Sequence, residues 1–225
     1  MKVSELISDL VAGPCSKLAF ASVGDMVTNP GSPTAAQTLN RNKFIRYINL
    51  ANLAIHKRFH LLKKTFELDA PIDEEEFTLP SNFLVPIHAY YADTREELNI
   101  RDDSTKLVDE VDTTVTLLMP EPFKIVIKGV DQTVPVHDLI IIKYAAAPVK
   151  ATTVFNTISV NEVYREALLN YASYQAHSSI SGDIKDENNT YYLRYEASCK
   201  QIVQSGMWGN NEISINLKLE ENGFV

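Results

Sequence analysis

The chain has 225 residues, 45% of them hydrophobic and 22% charged, with a formal net charge of −8. That length suits one large domain or two small ones around a real buried core, and the acidic balance argues against a general nucleic-acid binder, whose footprint is basic. No apolar run approaches the roughly 20 residues of a membrane span and residues 1–13 lack the apolar core of a secretion signal, so a soluble protein made in a cytoplasm is expected.

The charge is unevenly placed. Residues 41–64 carry Arg41, Lys43, Arg46, Lys57, Arg58, Lys63 and Lys64 and no acid, whereas residues 65–112 carry fourteen acids against Arg95, Arg101 and Lys106. Such asymmetry marks an association surface, or two solvated faces that attract each other within one monomer. Cys15 and Cys199 are too few for a disulfide framework, and two reduced thiols are expected.

In chain order, the first predicted element is a short helix over residues 3–11, with Leu6, Ile7, Leu10 and Val11 at helical spacing and Gly13-Pro14 as its stop. Residues 13–37 read as a long loop, a length that is usually functional or disordered when free. A helix over residues 41–64 follows, with Asn40 as its N-cap, Phe44, Ile45, Ile48, Ile55 and Phe59 near 3.6 spacing, and Lys63 and Lys64 at its C-terminal dipole.

Prolines at 71, 80, 86, 120, 122, 135 and 148 exclude long helices from residues 65–150. Short β-branched runs over 76–79, 83–91, 113–119, 124–128 and 139–145 read as strands of a small, mostly antiparallel β module. Residues 91–112 are polar and acidic and read as an exposed excursion. Ser159-Val160-Asn161-Glu162 has the form of a capping box, opening a helix that Gly182 stops. Asp183 caps a second helix to about residue 204, and the short connection predicts an antiparallel hairpin. In the tail, residues 209–225, Ile213, Ile215, Leu217 and Leu219 alternate with polar residues as in a strand with one apolar face. This strand adds either to the chain's own sheet or to another subunit.

Catalytic patterns are scarce. His56 and His60 stand at i and i+4, but the intervening Lys57 and Arg58 replace the glutamate of a zinc protease and oppose a cation. Asp183, Asp186, Glu187, Asn188 and Asn189 do not match the ligand positions of a calcium loop. Asp73-Glu74-Glu75-Glu76 is a contiguous acidic run, which is usually a solvated loop. Phosphate-binding glycine loops and the GxSxG elbow are missing from the sequence. A binding or structural role is favoured, with no catalytic residue, metal or cofactor expected.

Several features in order carry a resemblance. Lys2-Val3-Ser4-Glu5-Leu6-Ile7 opens the first helix, and Phe44-Ile45-Arg46-Tyr47-Ile48-Asn49-Leu50-Ala51-Asn52 lies in the long one. Phe77-Thr78-Leu79-Pro80-Ser81-Asn82-Phe83-Leu84, then Leu139-Ile140-Ile141-Ile142-Lys143-Tyr144 before Ala147-Pro148, mark the β region. Val160-Asn161-Glu162-Val163-Tyr164-Arg165-Glu166-Ala167-Leu168-Leu169-Asn170-Tyr171 starts the hairpin. Together they resemble the head-to-tail adaptor (connector) proteins of tailed bacteriophages over about residues 1–208. The long acidic middle and the strand-like tail depart from that pattern.

The resemblance implies an α+β protomer: an antiparallel bundle of about four helices from residues 1–64 and 151–208, a β-rich insertion at 65–150 and an extended docking tail at 209–225. It implies a homo-oligomeric ring, commonly a dodecamer, seated under the portal protein and above a tail or nozzle protein in the virion neck. Such a ring is assembled in the host cytoplasm, and genomic DNA passes its lumen without specific binding; no membrane is involved. Within a ring, Arg41, Lys43, Arg46, Lys57 and Arg58 facing Glu74, Glu75, Glu96 and Glu97 are candidates for the lateral interface. Ile213, Ile215, Leu217, Leu219 and Phe224 are candidates for docking on a neighbour or the portal. The competing readings are a non-viral α-helical interaction scaffold, a hydrolase using carboxylates of the middle region, and a DNA binder using the basic helix.

Overall fold

The computed structural model describes residues 1–18, 34–69, 76–101, 116–119, 123–128, 139–179 and 187–206. Among them the protein is α+β, with four α-helices and two sheets whose pairings are antiparallel except one. The chain forms two compact units, Met1–Asn52 with Lys150–Val225, and Leu53–Val149.

In the first unit, α1 (Val3–Ala12) buries Val3, Leu6, Ile7 and Leu10, one stripe at i, i+3, i+4, i+7. The first N–H groups of a helix have no partner within it. Here Val3 and Ser4 donate to the carbonyls of Asn156 and Val154, each at 3.0 Å, and the Lys2 N–H donates to the Glu5 carboxylate at 3.3 Å. Met1 and Ile158 pair through two backbone bonds of 3.2 and 2.8 Å. At the other end the Gly13 N–H closes on the Asp9 carbonyl at 3.0 Å, and a Cβ at Gly13 would press on that oxygen.

The long helix, α2 (Ala35–Phe59), starts and stops earlier than its apolar spacing predicts. Its cap is Thr34, not Asn40: the Gln37 N–H donates to the Thr34 hydroxyl at 3.3 Å and the Thr34 N–H to the Gln37 side chain at 2.8 Å, a reciprocal capping box. Its end is set by His60, which takes a left-handed φ of 48° while its N–H bonds the His56 carbonyl at 2.9 Å. Lys63 and Lys64 therefore lie in a strand and not in a last helical turn.

The hairpin also differs at its start. Asn161, and not Ser159, caps it: the Asn161 side chain accepts the Val163 N–H at 3.2 Å and opens a 3-10 turn, Glu162–Tyr164. This turn runs into α3 (Arg165–Ser178), and α4 is Glu187–Gln204. The predicted stop Gly182 and cap Asp183 lie outside the described residues. Tyr171 meets Tyr195, Tyr174 meets Tyr192, and His177 stacks on Tyr191, with ring centroids 4.9, 5.3 and 4.9 Å apart. Numbers that rise on one helix fall on the other, so α3 and α4 are antiparallel.

The second unit holds the end of α2 and both sheets. One sheet has the order β1-β7-β3, with β1 (Lys63–Asp69), β3 (Phe83–Tyr91) and β7 (Leu139–Ala146). The other has the order β2-β6-β5-β4, with β2 (Glu76–Thr78), β4 (Asn99–Arg101), β5 (Thr116–Leu118) and β6 (Lys124–Lys128). Strand β1 escapes the sequence reading because Lys-Lys-Thr-Phe-Glu-Leu-Asp turns only Phe66 and Leu68 inward. Part of the predicted excursion is likewise in the sheet: Leu98 is buried and Ile100 packs on the core. Pro86 sits in β3, an edge strand, beside register shifts that spare it a ladder bond. The core joins Leu68, Phe83, Leu117, Ile127, Ile140 and Ile142. The Tyr144 hydroxyl leaves that core to donate to the Asn82 side chain at 3.2 Å.

Cys15 and Cys199 are both buried and are not joined in a disulfide. Burial pushes Cys15 up from 9.0 to about 11, with the Ser173 hydroxyl opposing in part. The folded protein thus holds this proton after the unfolded chain has lost it. The stability it contributes should be intact below about pH 9 and decline as pH rises toward about 11. In urea unfolding, the difference between wild type and Cys15→Ala is expected to shrink across that window, and a pH-independent difference would contradict the burial effect. Separately, Ile142→Ala, at a fully buried site, should cost about 3 kcal/mol. Val149→Ala, at a 92% exposed site, should stay within about 0.5 kcal/mol.

Candidate assembly surfaces

The basic residues of α2 sort by helical phase. At about 100° per residue, Lys43, Arg46 and Lys57 fall within about 60° of arc, opposite the buried Phe44, Ile48 and Ile55. All three are exposed. Arg41 is half-buried in the second turn of the helix, and Arg58 flanks the stripe in its last turn. Arg41, Lys43 and Arg46 belong to the first unit, and Lys57 and Arg58 to the second.

Of the acidic candidates, Glu96 and Glu97 are exposed in the tight turn from β3 to β4, where the Tyr91 N–H donates to the Glu96 carbonyl at 3.1 Å. The Glu97 carboxylate meets His88 Nδ1 at 3.0 Å, so part of its charge has a partner within the unit. Glu76 is paired with Lys124 at 3.2 Å across β2 and β6. Glu74, Glu75 and the tail residues Ile213, Ile215, Leu217, Leu219 and Phe224 lie outside the described residues.

The two histidines weighed as metal ligands are not equivalent. His56 is in the core at 3% exposure, whereas His60 ends the helix. Packing decides this: His56 falls on the buried face, close in helical phase to Asn52 and Phe59. The hairpin carries a stronger ionic contact than any read from sequence. Arg165 on α3 donates Nη2 and Nε to one Asp9 oxygen at 2.6 and 3.2 Å, and Nη1 to Glu162 at 3.0 Å. The hydrogen bond to Asp9, and after it the one to Glu162, raises the Arg165 pKa further, so the guanidinium that joins α3 to α1 keeps its charge.

Sequence reading missed a loop between β7 and the 3-10 turn. Asn49 of α2 donates to the Ala151 carbonyl at 2.8 Å and accepts the Ala151 N–H at 2.9 Å. Asn156 accepts the N–H groups of Thr152 and Thr153 at 2.9 and 2.7 Å and the Thr153 hydroxyl at 3.0 Å. On this pinned backbone Phe155 is 77% exposed. The Thr152-Thr153-Val154-Phe155-Asn156 run carries the turn chemistry of Asn and Thr, a signal available in the sequence. The exposure of Phe155 was not. Among the described residues of the first unit, a cavity of about 250 Å³ opens near Pro14, His177 and Arg194, and another of about 220 Å³ opens between the start of α3 and the end of α4.

No curated protein matches the chain. A family described as SU10 adaptor protein matches residues 20–213, a span that includes α2, both sheets, the pinned loop and the α3–α4 hairpin. With so much of its length matched, the chain belongs to the SU10 adaptor protein family, a family of phage head-to-tail adaptors.

Proposed function

We propose that this chain is a structural adaptor of the virion neck that assembles as a closed ring, commonly a dodecamer, beneath the portal protein. The ring extends the DNA channel toward a tail or nozzle protein, and is built in the host cytoplasm. The family match over residues 20–213 carries this reading. In it, the helices of residues 1–64 and 151–208 form an antiparallel bundle that frames each protomer. Residues 65–150 are a β insertion, and residues 209–225 dock on a neighbour or on the portal.

The charges support a ring. Heterologous contacts that close by rotation bring one face of a protomer against a different face of the next. The exposed cations Lys43, Arg46 and Lys57 of α2 and the exposed Glu96 and Glu97 supply groups of opposite sign for such a contact. A net charge of −8 suits a lumen through which DNA slides without sticking, since phosphate contacts drive nonspecific binding. Portal, tail protein and passing DNA are the partners, and no chemistry is required.

Electron microscopy of the chain mixed with its portal protein tests the ring: closed rings stacked on the portal are expected, and particles no larger than portal alone would refute it. Removal of residues 209–225 should abolish portal docking while the far-ultraviolet circular dichroism keeps its helical signal. Docking that survives the truncation would remove the tail from the interface.

A further inference from the structure

We infer that Phe155 of one copy is a knob that inserts into the cavity between α3 and α4 of a second copy. The inference rests on the ring reading and specifies which surfaces of the first unit meet there.

The knob is built for a contact. Phe155 projects at 77% exposure from a loop whose neighbours are all tied. On one side the Val154 carbonyl accepts the Ser4 N–H, and on the other the Asn156 carbonyl accepts the Val3 N–H, each at 3.0 Å. The Asn156 side chain holds Thr152 and Thr153 from within the loop. An exposed aromatic on a backbone already ordered loses little entropy on burial, which is the property of a binding anchor. Its phenyl ring has no polar atom to reward exposure.

The hole fits the knob. It measures about 220 Å³, is lined mainly by apolar surface, and is formed by Val163, Glu166, Ser198, Gln201, Ile202 and Ser205. A small-molecule site usually occupies about 300–1,000 Å³, so this one is small for a metabolite. A dry cavity of about 150 Å³ already holds benzene, so it has room for a phenyl ring. Phe155 of the same chain is not among its lining residues.

Charge selects a second copy as the occupant. Lys150, exposed, stands on the knob's loop, and Glu166, exposed, stands at the hole. Knob with cation on one surface and hole with carboxylate on another make a heterologous contact. Such a contact is the kind that builds a ring when its rotation closes. Phe155 and Gln201 are both exposed, so substitutions there leave the buried core in place.

The test measures ring mass by mass photometry for the chain assembled with its portal protein. Phe155→Ala and Gln201→Trp, which empties the knob and fills the hole, should each raise the concentration needed for half-assembly about tenfold or more. Lys150→Glu and Glu166→Lys should each weaken assembly, and the two together should restore it. If wild type forms rings and neither Phe155→Ala nor Gln201→Trp weakens them, the knob-and-hole contact is overturned and the ring reading stands. If Gln201→Trp alone acts, the hole takes another occupant, such as residues 207–225, and the inference fails. A double charge swap that restores nothing also overturns it, because the two surfaces then do not face each other. If wild type forms no ring, the ring reading falls and takes the contact with it.

Discussion

The carbonyls of Val154 and Asn156 accept the first N–H groups of α1, and on this the first unit depends. A helix of ten residues is marginal by itself, and its leading amides are costly if left without partners. The chain meets that demand with a loop that follows some 150 residues later, pinned from three sides. Asn49 of α2 holds Ala151, Asn156 organises the two threonines, and Met1 and Ile158 pair at the outer edge. Each hydrogen bond contributes about 1 kcal/mol net. Their joint effect is to fix where three chain segments meet.

This arrangement explains how the second unit can sit between Asn52 and Lys150 of the first. The entropic cost of closing a loop grows only slowly with its length, so an inserted unit with its own core burdens the host little. The inserted unit meets its own needs. Strand β7 lies between β1 and β3 and buries Ile140, Ile142, Tyr144, Ala145 and Ala146. The stacking of Phe83 on Tyr144, with centroids 5.1 Å apart, continues the core to the strand end.

An adaptor works through surfaces, and the chemistry of this chain is distributed accordingly. Polar side chains are spent on holding loops and helix ends: Asn49, Asn156, Asn161 and Thr34 each bond backbone N–H groups. The Arg165–Asp9 pair joins α1 to α3, and the tyrosine ladder joins α3 to α4. Tyr192 keeps 40% of its surface exposed while its ring packs on two other tyrosines, the amphipathic use to which tyrosine is suited.

Residue pattern alone determined the α+β class, the existence of α1, α2, α3 and α4, and the strands β2, β3, β5, β6 and β7. It also carried the family, because ordered motifs survive where single ones are weak. These are local properties, set by spacing along one element. Tertiary structure decided what depends on residues far apart in sequence. The charged strand β1 exists because β7 pairs with it, and Leu98 is buried and Ile100 packed on the core because β4 joins the sheet beside β5. His56 is buried by the phase of its helix against the core, while Phe155 is left outside by a loop pinned to α1 and α2. Periodicity also overran the end of α2, since Leu62 continues the helical spacing but its carbonyl serves β7 through the Ala146 N–H. Spacing shows which residues want burial; only the packed chain decides what buries them.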